Sequence, residues 1–131
     1  MFRKFLLVTA CVMGLGATAQ AMTGAEVLKA VNHDSDQTLE LPEAIAAAAA
    51  VFDGLSKDKG QTVTRADIAD RVGESDWSKV NRDRDQTLEL DEWLTVARTR
   101  FGAADANHDG KLDAKELDST AGQSLVKMIV K

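Results

Sequence analysis

Polar and apolar positions along this chain recur in blocks. Four polar windows, residues 32–43, 56–67, 81–92 and 105–116, start 24, 25 and 24 positions apart, a regularity that marks a repeat. Each carries an apolar residue at its eighth place, Leu39, Val63, Leu88 and Leu112, and runs on into helix-forming sequence. Between the first two windows lies AIAAAAAVFDGL (residues 44–55), Ala-rich and free of breakers until Gly54, which predicts one helix of about 18 Å. Between the last two, WLTVARTRFGAA (93–104) reads the same way, with Trp93, Val96, Ala97 and Phe101 on one apolar stripe. The middle connector, IADRVGESDWSKV (68–80), contains Gly73 and then Ser75 as an N-cap, which predicts two short helices separated by a turn. Such a bend lets windows two and three lie side by side and leaves one and four to meet at the other end. Ile45, Ala48, Phe52, Ile68, Val72, Trp77, Val80, Trp93, Val96, Phe101, Leu117, Leu125 and Ile129 are the expected core. The fold class that follows is all-α, a compact small helical bundle.

The N-terminus follows a different pattern. Arg3 and Lys4 precede an apolar run over residues 5–16, and Ala19–Gln20–Ala21 offers the small residues of a cleavage site. Residues 1–21 are therefore expected to be a cleaved secretory signal, which leaves residues 22–131 as one exported mature domain. The apolar run is short for a membrane span, so no membrane association is expected after cleavage.

Composition narrows the chemistry. Cys11, the one cysteine, leaves with the signal, so neither a disulfide nor a thiolate metal site is available to the mature domain. A core this small needs another stabiliser, and a bound metal is one of the few on offer. The chain has 16 basic and 21 acidic residues; without Arg3 and Lys4 the balance is 14 against 21, or -7. That charge argues against nucleic acid as a partner and favours cations.

The four windows supply the ligands. DANHDGKLDAKE (105–116) matches the EF-hand loop: Asp105, Asn107 and Asp109 at places one, three and five, Gly110 at the turn, the Lys111 carbonyl at seven and Glu116 at twelve. A hard cation needs six to eight oxygens, and an alternating carboxylate loop closed by a helix-borne Glu gathers them from one short segment. Window one offers Asn32, Asp34, Asp36, Thr38, Glu40 and Glu43, and window three offers Asn81, Asp83, Asp85, Thr87, Glu89 and Glu92. Gln37 and Gln86 stand at the sharp turn, where a positive φ costs a side-chain-bearing residue about 1 kcal/mol relative to Gly. Window two, SKDKGQTVTRAD, has only Asp58 and Asp67 as acids and no side chain at Gly60, so it is expected to be kept for backbone pairing. His33 and His108 fall at non-ligand places and are expected to be solvated. No nucleophile arrangement of His, Ser or Cys accompanies the carboxylates, so no enzymatic activity is expected.

Four such loops joined by single short connectors behind an export signal resemble the lanmodulin family, periplasmic EF-hand proteins that bind lanthanides. The resemblance spans nearly all of the mature chain, including AVFDGLSKDKGQTVTRADIADRVGESDWSKV and DAKELDSTAGQSLVKMIV. It implies a lanthanide(III) carrier or buffer, poorly ordered when empty, that compacts on binding, as a monomer or metal-linked homodimer serving a periplasmic metal-receiving protein. It maps the acidic ligands to Asp34, Asp36, Glu40 and Glu43, to Asp83, Asp85, Glu89 and Glu92, and to Asp105, Asp109, Asp113 and Glu116. A carboxylate at place nine (Glu40, Glu89, Asp113) favours a trivalent ion, which gains more from each added negative ligand than a divalent ion of similar size. The chain departs from the family at place two, where Pro gives way to His33, Lys57, Arg82 and Ala106, and at place six, where Gln stands in three windows. Two other readings fit the residues: a periplasmic calcium (Ca2+) buffer or sensor using the same loops, and an interaction module whose loops are structural.

Overall fold

The computed structural model describes residues 22–32, 34, 36–82 and 84–131. The expected export signal, His33 and the ligand candidate Asp83 lie outside the described residues. The described chain is mostly helical: α1 (Gly24–Val31), α2 (Leu41–Leu55), α3 (Arg65–Ile68), α4 (Glu74–Val80), α5 (Leu90–Ala104), α6 (Ala114–Asp118) and α7 (Thr120–Ile129). No helix among the described residues is long and apolar enough to cross a membrane.

Two small antiparallel sheets correct the all-α expectation. β1 (Leu39–Glu40) pairs with β4 (Lys111–Leu112), and β2 (Thr62–Thr64) pairs with β3 (Thr87–Glu89). At two or three residues, these strands are too short to leave a period-two signal in the sequence. Their pairing is the one anticipated from the bent connector, window one with four and two with three. Leu39 lies opposite Leu112 and Val63 opposite Leu88, and all four side chains have no exposed surface. The recurrent apolar residue at place eight thus anchors each window to the core.

The helices start where their first-turn chemistry permits. α2 begins at Leu41 rather than Ala44 because Pro42 fits a first helical turn, where its missing N–H is no loss. The connector does split into α3 and α4, but the N-cap of α4 is Gly73 and Ser75 lies inside the helix. Glu74 and Asp76 then occupy the first turn, where acidic side chains complement the helix dipole. α1 was not anticipated. Thr23 accepts from the Glu26 N–H while Glu26 accepts from the Thr23 N–H, and Val27, Leu28 and Val31 turn inward.

The core lies between α2, α5 and α7. Trp93 packs against Phe52 with ring centroids 6.0 Å apart and donates its indole N–H to the Ala48 carbonyl at 2.9 Å. The expected core residues are buried except Ile45 and Val80, which are half-buried at its edge. Two arginines fasten the connector to the C-terminal helix. Arg100 on α5 donates to the Arg71 and Ser124 carbonyls at 2.8 and 2.7 Å and to Asp76 at 2.8 Å. Arg71 in turn donates to the Lys127 and Val130 carbonyls at 2.6 and 2.8 Å, satisfying acceptors that the end of α7 leaves free.

Candidate metal centres

Each window runs into the first turn of a helix, and this fixes its last two candidate ligands. Place nine is the N-cap (Glu40, Thr64, Glu89, Asp113) and place twelve is the third helical residue (Glu43, Asp67, Glu92, Glu116). The place-twelve carboxylate accepts the place-nine N–H in every window, at 3.2, 3.0, 3.1 and 3.3 Å. In windows three and four its other oxygen accepts the place-two N–H, from Arg82 and from Ala106, at 2.9 Å in each case. The carboxylate therefore straps the start of the loop to the helix. Each oxygen keeps a second lone pair for a ligand.

Window four gathers three of its four acids. Asp105, Asp109 and Glu116 each bring a carboxylate oxygen within 4.8 Å of the others. Asp105 is only 7% exposed, and its oxygens accept from the Asp109 N–H at 3.2 Å and the Gly110 N–H at 2.9 Å. No Lys, Arg or His among the described residues forms an ion pair with any of the three. Gly110 supplies the expected left-handed turn at φ 78°, and His108 is left-handed too, at φ 56°, and exposed as expected. Asp113 stands apart from the cluster. Its carboxylate caps α6 by accepting the Glu116 N–H at 2.7 Å.

Window one brings Asp34, Glu40 and Glu43 within the same 4.8 Å limit. Asn32, Asp34 and Asp36 form a staircase in which each side-chain oxygen accepts the N–H two residues on, at 3.1, 3.3 and 3.0 Å. The crowding acts oppositely on the two aspartates. Loss of water, with the Asp36 carboxylate beside it, raises the pKa of Asp34, whereas the Thr38 N–H lowers that of Asp36. Gln37 adopts the predicted left-handed conformation at φ 64°. Across the β1–β4 pair, the Lys111 ammonium lies 3.8 Å from Glu40.

Window three differs in two respects from the reading of its sequence. Its left-handed residue is Arg84, at φ 54°, and Gln86 is not left-handed, so the turn strain sits at place four instead of six. Its carboxylate group is Glu89, Asp91 and Glu92, within 4.8 Å, and so includes Asp91, an acid at place eleven that spacing did not single out. Asp85 accepts the Thr87 N–H at 3.1 Å instead of joining that group. Asp91 also receives the Arg82 guanidinium at 2.8 Å. The Asn81 amide donates to the Asp85 carbonyl at 2.6 Å, while its buried side-chain oxygen has no hydrogen-bond partner among the described residues. A buried acceptor with nothing to accept is a costly arrangement unless a donor or a cation meets it.

Window two closes on itself. Asp58 accepts from the Ser56 and Thr62 hydroxyls, both at 2.5 Å, and from the Thr62 and Gln61 N–H groups at 2.8 and 3.1 Å. The Ser56 hydroxyl leads these donors in holding the carboxyl well below the usual range. Asp67 accepts the Thr64 N–H and hydroxyl at 3.0 and 2.8 Å and pairs with the Lys57 ammonium at 2.9 Å. The Thr64 N–H first, then Lys57, lower its pKa to about 2. Beside it Lys59 and Gly60 are both left-handed, at φ 66° and 82°. No protein-family model matches the chain, and no curated protein matches it.

Proposed function

We infer that the chain is a metal-binding protein of EF-hand type that takes lanthanide(III) ions in windows one, three and four and orders on binding, as a carrier or buffer. One observation carries this reading: the half-enclosed Asp105–Asp109–Glu116 cluster, whose charges no basic side chain among the described residues neutralises. Three carboxylates held within 4.8 Å repel one another, and a small multivalent cation relieves that repulsion with the strongest field. Asp105, Asp109 and Glu116 would hold the ion in window four, Asp34, Glu40 and Glu43 in window one, and Glu89, Asp91 and Glu92 with the Asn81 oxygen in window three. The preference for a trivalent over a divalent ion rests on the number of carboxylates and on the resemblance to lanmodulins.

The test is a titration of chelator-stripped protein followed by circular dichroism, with lanthanum and calcium run in parallel. Helicity should rise at lanthanum concentrations at least a hundredfold below those of calcium. Equal responses at micromolar calcium would replace the lanthanide reading with the calcium one, and no response to either would favour an interaction module. Replacing Asp105 by Asn together with Glu116 by Gln should remove one bound ion per chain, counted by native mass spectrometry.

A further inference from the structure

We propose that Lys57 is a built-in counter-ion that occupies the role of the metal in window two, so that this window stays folded without an ion and holds β2 in place as the template for window three. The inference extends the metal-binding reading above, which it needs only for the ion count described last.

Lys57 stands at place two, and its ammonium reaches Asp67 at place twelve at 2.9 Å. The two ends of the pair are unequal. The Lys57 side chain is 83% exposed and Asp67 only 7%, so a mobile cation is brought to an anion that water scarcely reaches. The second Asp67 oxygen accepts both the hydroxyl and the N–H of Thr64, the last residue of β2. One carboxylate thus joins the start of the loop, the end of the strand and the first turn of α3.

The other acid of the window is equally committed. Asp58 takes two hydroxyls and two backbone N–H groups, among them both donors of Thr62, the first residue of β2. An entering metal would have to strip these donors away and expel Lys57, with no side chain at place five to help. One added there would be strained, because Gly60 is left-handed at φ 82° and its Cβ would displace the Asp53 carboxylate. Window four is the contrast, with its three clustered acids left without a basic partner among the described residues. What Lys57 maintains is useful to window three, since all of β2 is in register with β3, Thr62 opposite Glu89 and Thr64 opposite Thr87.

Hydrogen exchange on the whole protein in excess chelator tests the counter-ion. In Lys57→Met, which keeps the reach and loses the charge, amides of β2 and β3 should exchange roughly two- to fivefold faster than in the parent, and Lys57→Arg should restore the parent rates. Unchanged exchange in Lys57→Met, or Lys57→Arg as fast as Lys57→Met, overturns the proposal. Native mass spectrometry with lanthanum chloride tests the exclusion of metal. Asp67→Asn should retain the full ion count, and loss of one ion would make window two a metal site and overturn the proposal as well. If the parent protein binds no lanthanum, the metal-binding reading fails, while the exchange experiment still decides the role of Lys57.

Discussion

Backbone strain at single residues separates what the repeat dictates from what each window does. Gln37 and Arg84 carry left-handed φ angles of 64° and 54° that Gly would adopt without penalty. Replacing either by Gly should stabilise the metal-free protein by about 0.5–1 kcal/mol in urea denaturation. Gln86→Gly should instead cost up to about 1 kcal/mol, because it loosens a residue that has no such strain to relieve. Place six was the expected turn in every window, and the sequence could not reveal that window three bends two residues earlier, since Arg and Gln there are equally ill-suited to it. Nor could spacing alone find Asp91 or the Lys57–Asp67 pair, which depend on the path a long side chain takes across the loop. The titration of Asp67 provides a check on window two. Its folded pKa of about 2 lies below the ordinary 3.8, so the stabilisation it brings is complete above pH 4 and is lost as the pH falls through 2. Amide exchange in β2 should accelerate over that interval in the metal-free protein, and Lys57→Met should narrow the effect.

At the scale of elements, two glycines set how closely helices approach. A Cβ on Gly24 would collide with the Ala114 carbonyl at the start of α6, and one on Gly122 with the Glu116 carbonyl at its middle. Gly122→Ala should cost about 1–3 kcal/mol by thermal melting. Because the backbone it displaces carries Glu116, it should also weaken binding at window four more than at window one, as resolved by titrating lanthanum against each window's double variant. The long helices α2 and α5 were legible from an Ala-rich run and an apolar stripe, whereas α1 was overlooked although Thr23 and Glu26 frame a capping box ahead of Val27, Leu28 and Val31. α1 lies before the first window and so outside the repeat. Strands of two and three residues left no trace beyond one apolar residue each. That residue lies in every strand, because place eight is where a pleated backbone turns one side chain into the core.

For the molecule as a whole, Arg100 is the joint between its two ends. Its guanidinium is mostly buried, bridges the connector to α7 and reaches Asp76, with its Nε unpaired among the described residues. Arg100→Met should destabilise the protein by about 2–3 kcal/mol, since it leaves two carbonyls and a half-shielded carboxylate without their donor. Urea denaturation would measure it. The pairing of the windows carries a different consequence at this scale. β2 and β3 meet across 25 positions (63 to 88) and β1 and β4 across 73 (39 to 112). By loop-closure entropy the inner union is easier to form by about 1 kcal/mol. Severed after α1 and again between α5 and β4, the chain would keep its inner hairpin of windows intact and leave β1 without its mate. A break between β3 and β4 would strand window four from its partner only if the pieces drifted apart, so complementation between such fragments would reveal how firmly the outer pair clasps.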